Sequence, residues 1–152
     1  SDGGAQEFGL RAGTENVAGI VGMAVALKNN CDALEENTRY VEGLASELVG
    51  MLNSSGVKYA MNGGTNRLPG LLSLSFPEFD GEAILHRLDL AGICISTGSA
   101  CNSKSTEISH VLQAIHLGDK YAKGTIRISL GKDNIEDDVE AIFKALMKIF
   151  RV

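Results

Sequence analysis

Gly124-Thr125-Ile126-Arg127-Ile128-Ser129-Leu130-Gly131 reads as a strand written in alternation. Successive strand side chains point to opposite faces, so Ile126, Ile128 and Leu130 fall on one side and Arg127 and Ser129 on the other. A glycine brackets each end. Downstream, Val139, Ile142, Phe143, Leu146 and Phe150 make an apolar helical stripe over about 135–150. Asn134 is the expected cap of that helix. Glu136, Asp137 and Asp138 crowd its first turn, and Lys144, Lys148 and Arg151 its end, as the helix dipole favours.

Upstream, Ile108, Val111, Leu112 and Ile115 predict a helix, and Ile93-Cys94-Ile95 a short buried strand. Asp80 caps a predicted helix running to about Leu90, with Ile84, Leu85 and Leu88 on one face. Leu71 to Phe76 is a second strand, stopped by Pro77, and Val57 to Met61 a short one before the turn Asn62-Gly63-Gly64. Val17, Ile20, Val21, Ala24 and Leu27, then Val41, Leu44, Leu48 and Leu52, predict one long or kinked helix over 15–53, capped by Thr14. Residues 1–14 read as glycine-punctuated loop. These elements predict an α/β fold, a two-layer sandwich of a small mixed or mostly antiparallel sheet with helices.

At 152 residues the chain can build one domain with a real core. The net charge of −5 and the absence of a Lys/Arg run argue against a nucleic-acid surface. No apolar stretch is long enough to span a bilayer. An odd count of 3 cysteines offers no disulfide framework and favours a reducing cytoplasm. The chain opens Ser1-Asp2-Gly3-Gly4 without Met, straight into a loop, and is expected to be a piece of a longer protein.

Chemistry concentrates in three places. Cys101 lies in Ser96-Thr97-Gly98-Ser99-Ala100-Cys101-Asn102-Ser103, with no apolar neighbour larger than Ala100 and with Lys104 close by. Structural cysteines usually sit among apolar side chains, whereas a thiol on a Gly/Ser-rich loop beside a cation suits nucleophilic sulfur chemistry. Arg127 is placed to grip a carboxylate with its planar fork of donors; the plain alternative is a surface arginine paired with an acid. Gly9-Leu10-Arg11-Ala12-Gly13-Thr14 delivers Thr14 to a helix N-terminus, where phosphate is favoured; the plain alternative is a capped helix. His86, His110 and His116 show no zinc spacing, and Cys31 and Cys94 read as structural.

Taken in order, Gly9 to Ile20, Leu68-Pro69-Gly70, Ser96 to Cys101, Ser109-His110-Val111-Leu112 and Gly124 to Gly131 resemble the motifs of NifS/IscS-type cysteine desulfurases, of the long-loop class. The resemblance spans essentially the whole chain. It implies the small domain of a fold-type I pyridoxal 5'-phosphate enzyme, with 1–14 the end of the large domain and 15–152 the small C-terminal domain. It implies conversion of L-cysteine to L-alanine by a homodimer, with sulfur handed to an acceptor such as an Fe–S scaffold. On the matching positions, Cys101 is similar to the nucleophile that carries the persulfide. Arg127 is similar to the substrate-carboxylate arginine, and Thr14 to the threonine that reaches the cofactor phosphate. Two other readings stay open: a standalone persulfide carrier and a selenocysteine lyase-like relative. The chain departs from the family in having no His-Lys pair to bind the cofactor covalently, so as an isolated piece it is expected to be inactive. It also reads Gly3-Gly4-Ala5-Gln6-Glu7-Phe8 where a third glycine is usual.

Overall fold

A computed structural model describes residues 3–97 and 108–151. The chain divides into two compact units, Ser1–Glu36 and Asn37–Val152.

In the first unit a single 3-10 turn, Glu7–Gly9, leads through a loop to helix α1, Val17–Asp32. Asn16, not Thr14, caps α1: its Oδ1 accepts the Gly19 N–H at 3.0 Å. An N-cap side chain must reach the free amides of the first turn, and Asn16 is the residue immediately before that turn. Asn29, Asn30 and Asp32 are weak helix formers, and the helix stops at Ala33. The expected long helix is thus two helices, since α2 begins afresh at Leu34 and runs to Ser54.

In the second unit Val41, Leu44, Ala45, Leu48 and Leu52 of α2 form one buried stripe. The sheet comprises β1 (Ala60–Met61), β2 (Leu71–Ser75), β3 (Ser96–Thr97) and β4 (Thr125–Ser129), in the order β1-β2-β4-β3. Every pairing is antiparallel. The alternation expected of β4 is realised and is matched by β2: Leu72 and Leu74 oppose Ile128 and Ile126, all buried. Helices α2, α3 (Gly81–Asp89) and α6 (Glu136–Phe150) supply the other side of the core, through Leu48, Ile84, Leu88, Val139 and Leu146 among others. Each such fully buried aliphatic side chain contributes about 1.5–3 kcal/mol. Phe76 and Phe79 close the core against Phe150, with ring centroids 4.6 and 4.4 Å away. Short helices α4 (His110–Ala114) and α5 (Asp119–Lys123) complete the unit. Leu112 of α4 is buried, while Val111 and Ile115 are exposed, so the expected stripe there is narrower than its sequence suggests.

Two local expectations are corrected. The strand expected at 93–95 forms instead at Ser96–Thr97, and Cys94 is exposed. Ile93 and Ile95 turn toward the core, which leaves the residue between them outside. Cys31 is also exposed on α1, so neither of these cysteines is a core residue.

The cap of α6 also shifts by one residue. Ile135 is the N-cap, and its N–H is taken by Asp138 Oδ2 at 3.1 Å. Asn134 Nδ2 donates to the same oxygen at 3.0 Å, while its Oδ1 accepts from Gly131 N at 2.8 Å. The bonds from Asn134 and Ile135 stabilise the ionised carboxylate and hold the Asp138 pKa below the ordinary aspartate value. A depressed folded-state pKa gives stability that is present above the unfolded value of about 4 and is lost as pH falls through the folded value. Asp138→Asn is therefore expected to lower the urea midpoint at neutral pH and to weaken its fall on acidification. An acid limb as steep as the wild type's would show that Asp138 is not the linked group.

Candidate functional site

Of the residues expected at a site, the outer face of the sheet carries Arg127. The β4 register opposes Arg127 to Ser73 of β2 on one side and to Ser96 of β3 on the other. The three side chains therefore form one row across three strands, since directly opposed residues share a face. Arg127 is exposed, and Ser73 and Ser96 are half-buried. The Arg127 Nη2 donates to Ser96 Oγ at 3.4 Å, a long bond that leaves most of the fork's donors facing outward.

A second line of hydroxyls runs beside this row. Ser75 and Thr125 are opposed and buried, with their oxygens 2.7 Å apart. Thr125 Oγ1 donates to the Tyr121 carbonyl at 3.0 Å, and Asn62 Nδ2 lies 2.8 Å from Ser75 Oγ and 3.1 Å from Ser73 Oγ.

Cys101 lies outside the described residues. The sequence around it is anchored on both sides. Thr97, buried, donates its hydroxyl to Glu82 Oε1 of α3 at 2.7 Å. Ser109 caps α4 through Val111 N at 3.3 Å. β3, whose Ser96 opposes Arg127, ends at Thr97, four residues before Cys101 in the sequence.

Thr14 belongs to the first unit and is exposed. Its loop is shaped by two side chains whose roles the sequence did not disclose. Gln6 Oε1 accepts the Gly13 N–H at 3.2 Å, and Arg11 Nη1 donates to the Gly13 carbonyl at 2.8 Å. Arg11 also pairs with Glu15 and, at 3.6 Å, with Glu7. Gly13 takes φ +103°, a conformation that a side chain would strain, which explains the second glycine of Gly9-Leu10-Arg11-Ala12-Gly13. Among the described residues no cluster of His, Cys, Asp and Glu could hold a metal, and no helix is long and apolar enough to cross a membrane.

The class-V aminotransferase family profile matches residues 4–142. The chain belongs to that family. Among its class-V aminotransferase relatives, a cysteine desulfurase of Gluconacetobacter diazotrophicus is 43% identical over 148 residues, covering 95% of this chain and 36% of that protein. The cysteine desulfurase IscS of Clostridium botulinum is 39% identical over 152 residues, covering 98% of this chain and 38% of that protein. A solved NifS-like protein superposes with a TM-score of 0.83 at 37% identity, over 98% of this chain and 38% of its own. This class-V aminotransferase chain thus spans under two fifths of the length of the relatives it matches.

Proposed function

We propose that this chain is the substrate-gripping and sulfur-carrying part of a cysteine desulfurase, a homodimer that acts in the cytoplasm. One observation carries the reading: Arg127, exposed on the polar face of the sheet, is bonded to Ser96 at the root of the segment that holds Cys101. The grip on the substrate and the acceptor of its sulfur grow from neighbouring strands. The exposed free thiols Cys31 and Cys94 suit a reducing compartment.

Pyridoxal 5'-phosphate, the cofactor that the family resemblance implies, fits these residues at its phosphate end alone. Thr14 offers an exposed hydroxyl on a loop whose backbone Gln6 and Arg11 hold in place. When bound, the cofactor supplies an electron sink for bonds near the amino acid's α carbon. No lysine of this chain follows a histidine, so no covalent attachment is assigned here.

Arg127 takes the carboxylate of L-cysteine through charge-assisted bonds and fixes where its side chain lies. The Cys101 thiolate forms a bond to the substrate sulfur, and the substrate's carbon–sulfur bond breaks. The electron pair stays on carbon, which takes up a proton to give L-alanine. Cys101 keeps the sulfur as a persulfide and passes it to an acceptor protein such as an Fe–S scaffold. No external oxidant is needed.

The test is to incubate the intact protein with L-cysteine, quantify L-alanine, and map the persulfide by alkylation and peptide mass spectrometry. One sulfur on Cys101 per early turnover is expected. Arg127→Ala should lower kcat/KM for L-cysteine by about a hundredfold or more, the scale of losing paired bonds to a carboxylate. Alanine release with Cys101 unmodified, or an unchanged KM in Arg127→Ala, overturns the reading. Sulfur uptake by Cys101 from a donor persulfide without alanine release would mark a carrier instead.

A further inference from the structure

The hydroxyl network on the outer face has only one consistent assignment of its hydrogens. The Tyr121 carbonyl can only accept, so Thr125 must donate to it. Thr125 Oγ1 then accepts from Ser75, whose single hydrogen is thereby used. Ser75 Oγ can therefore only accept from Asn62, which fixes the amide with its NH2 toward both serines. Ser73 Oγ receives the other amide hydrogen. Its own hydrogen has no acceptor among the described residues, and Ser73 sits directly opposite Arg127.

The geometry points to Ser73 as a second donor to the carboxylate that Arg127 takes, with Asn62 as the positioning residue that aims its hydroxyl. This rests on the reading of Arg127 given above. An unaimed serine hydroxyl rotates among acceptors and must be ordered when a ligand arrives. Here the two Asn62 bonds, tied through Ser75 and Thr125 to a backbone carbonyl, leave the Ser73 proton as the free end of the chain. Ser96 flanks Arg127 on the other side as acceptor of Nη2, and its own proton has no acceptor among the described residues. A guanidinium between two hydroxyl donors suits a planar anion with two oxygens and disfavours a neutral amide or ester, whose NH2 or alkoxy group has no partner there. The row thus sets specificity for a free α-carboxylate.

The test uses the intact, cofactor-loaded protein. In Ser73→Ala, KM for L-cysteine should rise about tenfold, one charge-assisted bond's worth, with kcat within about twofold. Ser73→Thr, which keeps the hydroxyl, should restore KM, and Asn62→Ala should give a smaller rise in KM. A second measurement is calorimetric binding of L-alanine against L-alaninamide. Wild type should prefer L-alanine, and Ser73→Ala should lose about tenfold of that preference. A Ser73→Ala protein that melts at the wild-type temperature with unchanged KM and unchanged preference overturns the assignment. So does a fall in kcat at constant KM, or a Ser73→Thr protein no better than Ser73→Ala. Should the wild type release no alanine from L-cysteine, the desulfurase reading fails by itself, and the alanine–alaninamide pair still decides for or against Ser73.

Discussion

Gly124→Ala should lose about 3 kcal/mol of folding stability, the upper end of the ordinary cost of overpacking and a large fraction of the roughly 5–15 kcal/mol that holds a domain folded. The objection is steric and not torsional, since Gly124 has φ −92° and ψ 19°, which alanine adopts without strain. A Cβ there would run into the Phe76 carbonyl oxygen and stand 2.7 Å from that of Phe79 and 2.9 Å from the Phe76 carbonyl carbon. These are backbone atoms, and they are pinned. Phe76 N donates to the Gly124 carbonyl at 3.0 Å, Phe79 N donates to the Phe76 carbonyl at 3.1 Å, and the Phe76 ring is fully buried. Relief would require β4 to pull away from the end of β2 and carry Arg127 with it. Gly118→Ala is the control, because nothing stands within 4 Å of a Cβ there. Urea denaturation of the two variants decides the point. Equal midpoints would mean that the close approach at Gly124 is not a packing constraint.

Cys101→Ser should abolish sulfur transfer, with alanine formation falling by on the order of a thousandfold or more, the scale of deleting a covalent nucleophile. A serine hydroxyl is close in size but is not ionised near neutral pH, and an oxygen cannot hold a persulfide. Substrate grip should survive, because Arg127, Ser96 and Ser73 are untouched. The signature is therefore a collapse of kcat with L-alanine binding near wild type. Cys31→Ser and Cys94→Ser should retain full turnover, since both thiols are exposed and neither belongs to the row around Arg127. A Cys101→Ser protein that still transfers sulfur, with Cys31 or Cys94 carrying it, would remove the central claim about Cys101.

Much of the architecture was legible because it is local. The alternation of Ile126, Arg127, Ile128 and Ser129 announced a one-sided strand, and Leu44, Leu48 and Leu52 a one-sided helix. Both faces lie where periodicity puts them. The misses share a cause, which is that burial is decided by distant partners. Ile93-Cys94-Ile95 has strand composition, yet among the described residues the second partner of β4 is the pair that follows it, Ser96 and Thr97. α5 spans five residues with no apolar period to betray it. Among the candidate functional residues, Arg127 and Thr14 stood out by residue type and motif. Asn62 read only as the start of a turn, because its partners Ser73 and Ser75 come from β2 and nothing in the sequence announces a register. Gln6 and Arg11 escaped for a similar reason: their work is to hold the backbone of Gly13, which composition does not record.

The place of β4 inside the sheet has a consequence for motion. β1 and β3 are edge strands of two residues each, whereas β4 is bonded along both sides. Fraying at an edge frees a few amides at little cost, but amides that join two interior strands reach solvent only when the whole unit opens. Amide hydrogen–deuterium exchange at Ile126 and Ile128, whose N–H groups face β2, should then track global unfolding, while exchange at Arg127, whose N–H faces β3, and at Ser96 and Thr97 runs ahead of it. Arg127, the proposed grip on the substrate, would keep its place through sub-global openings, and the edge strand Ser96–Thr97 would be the part that breathes.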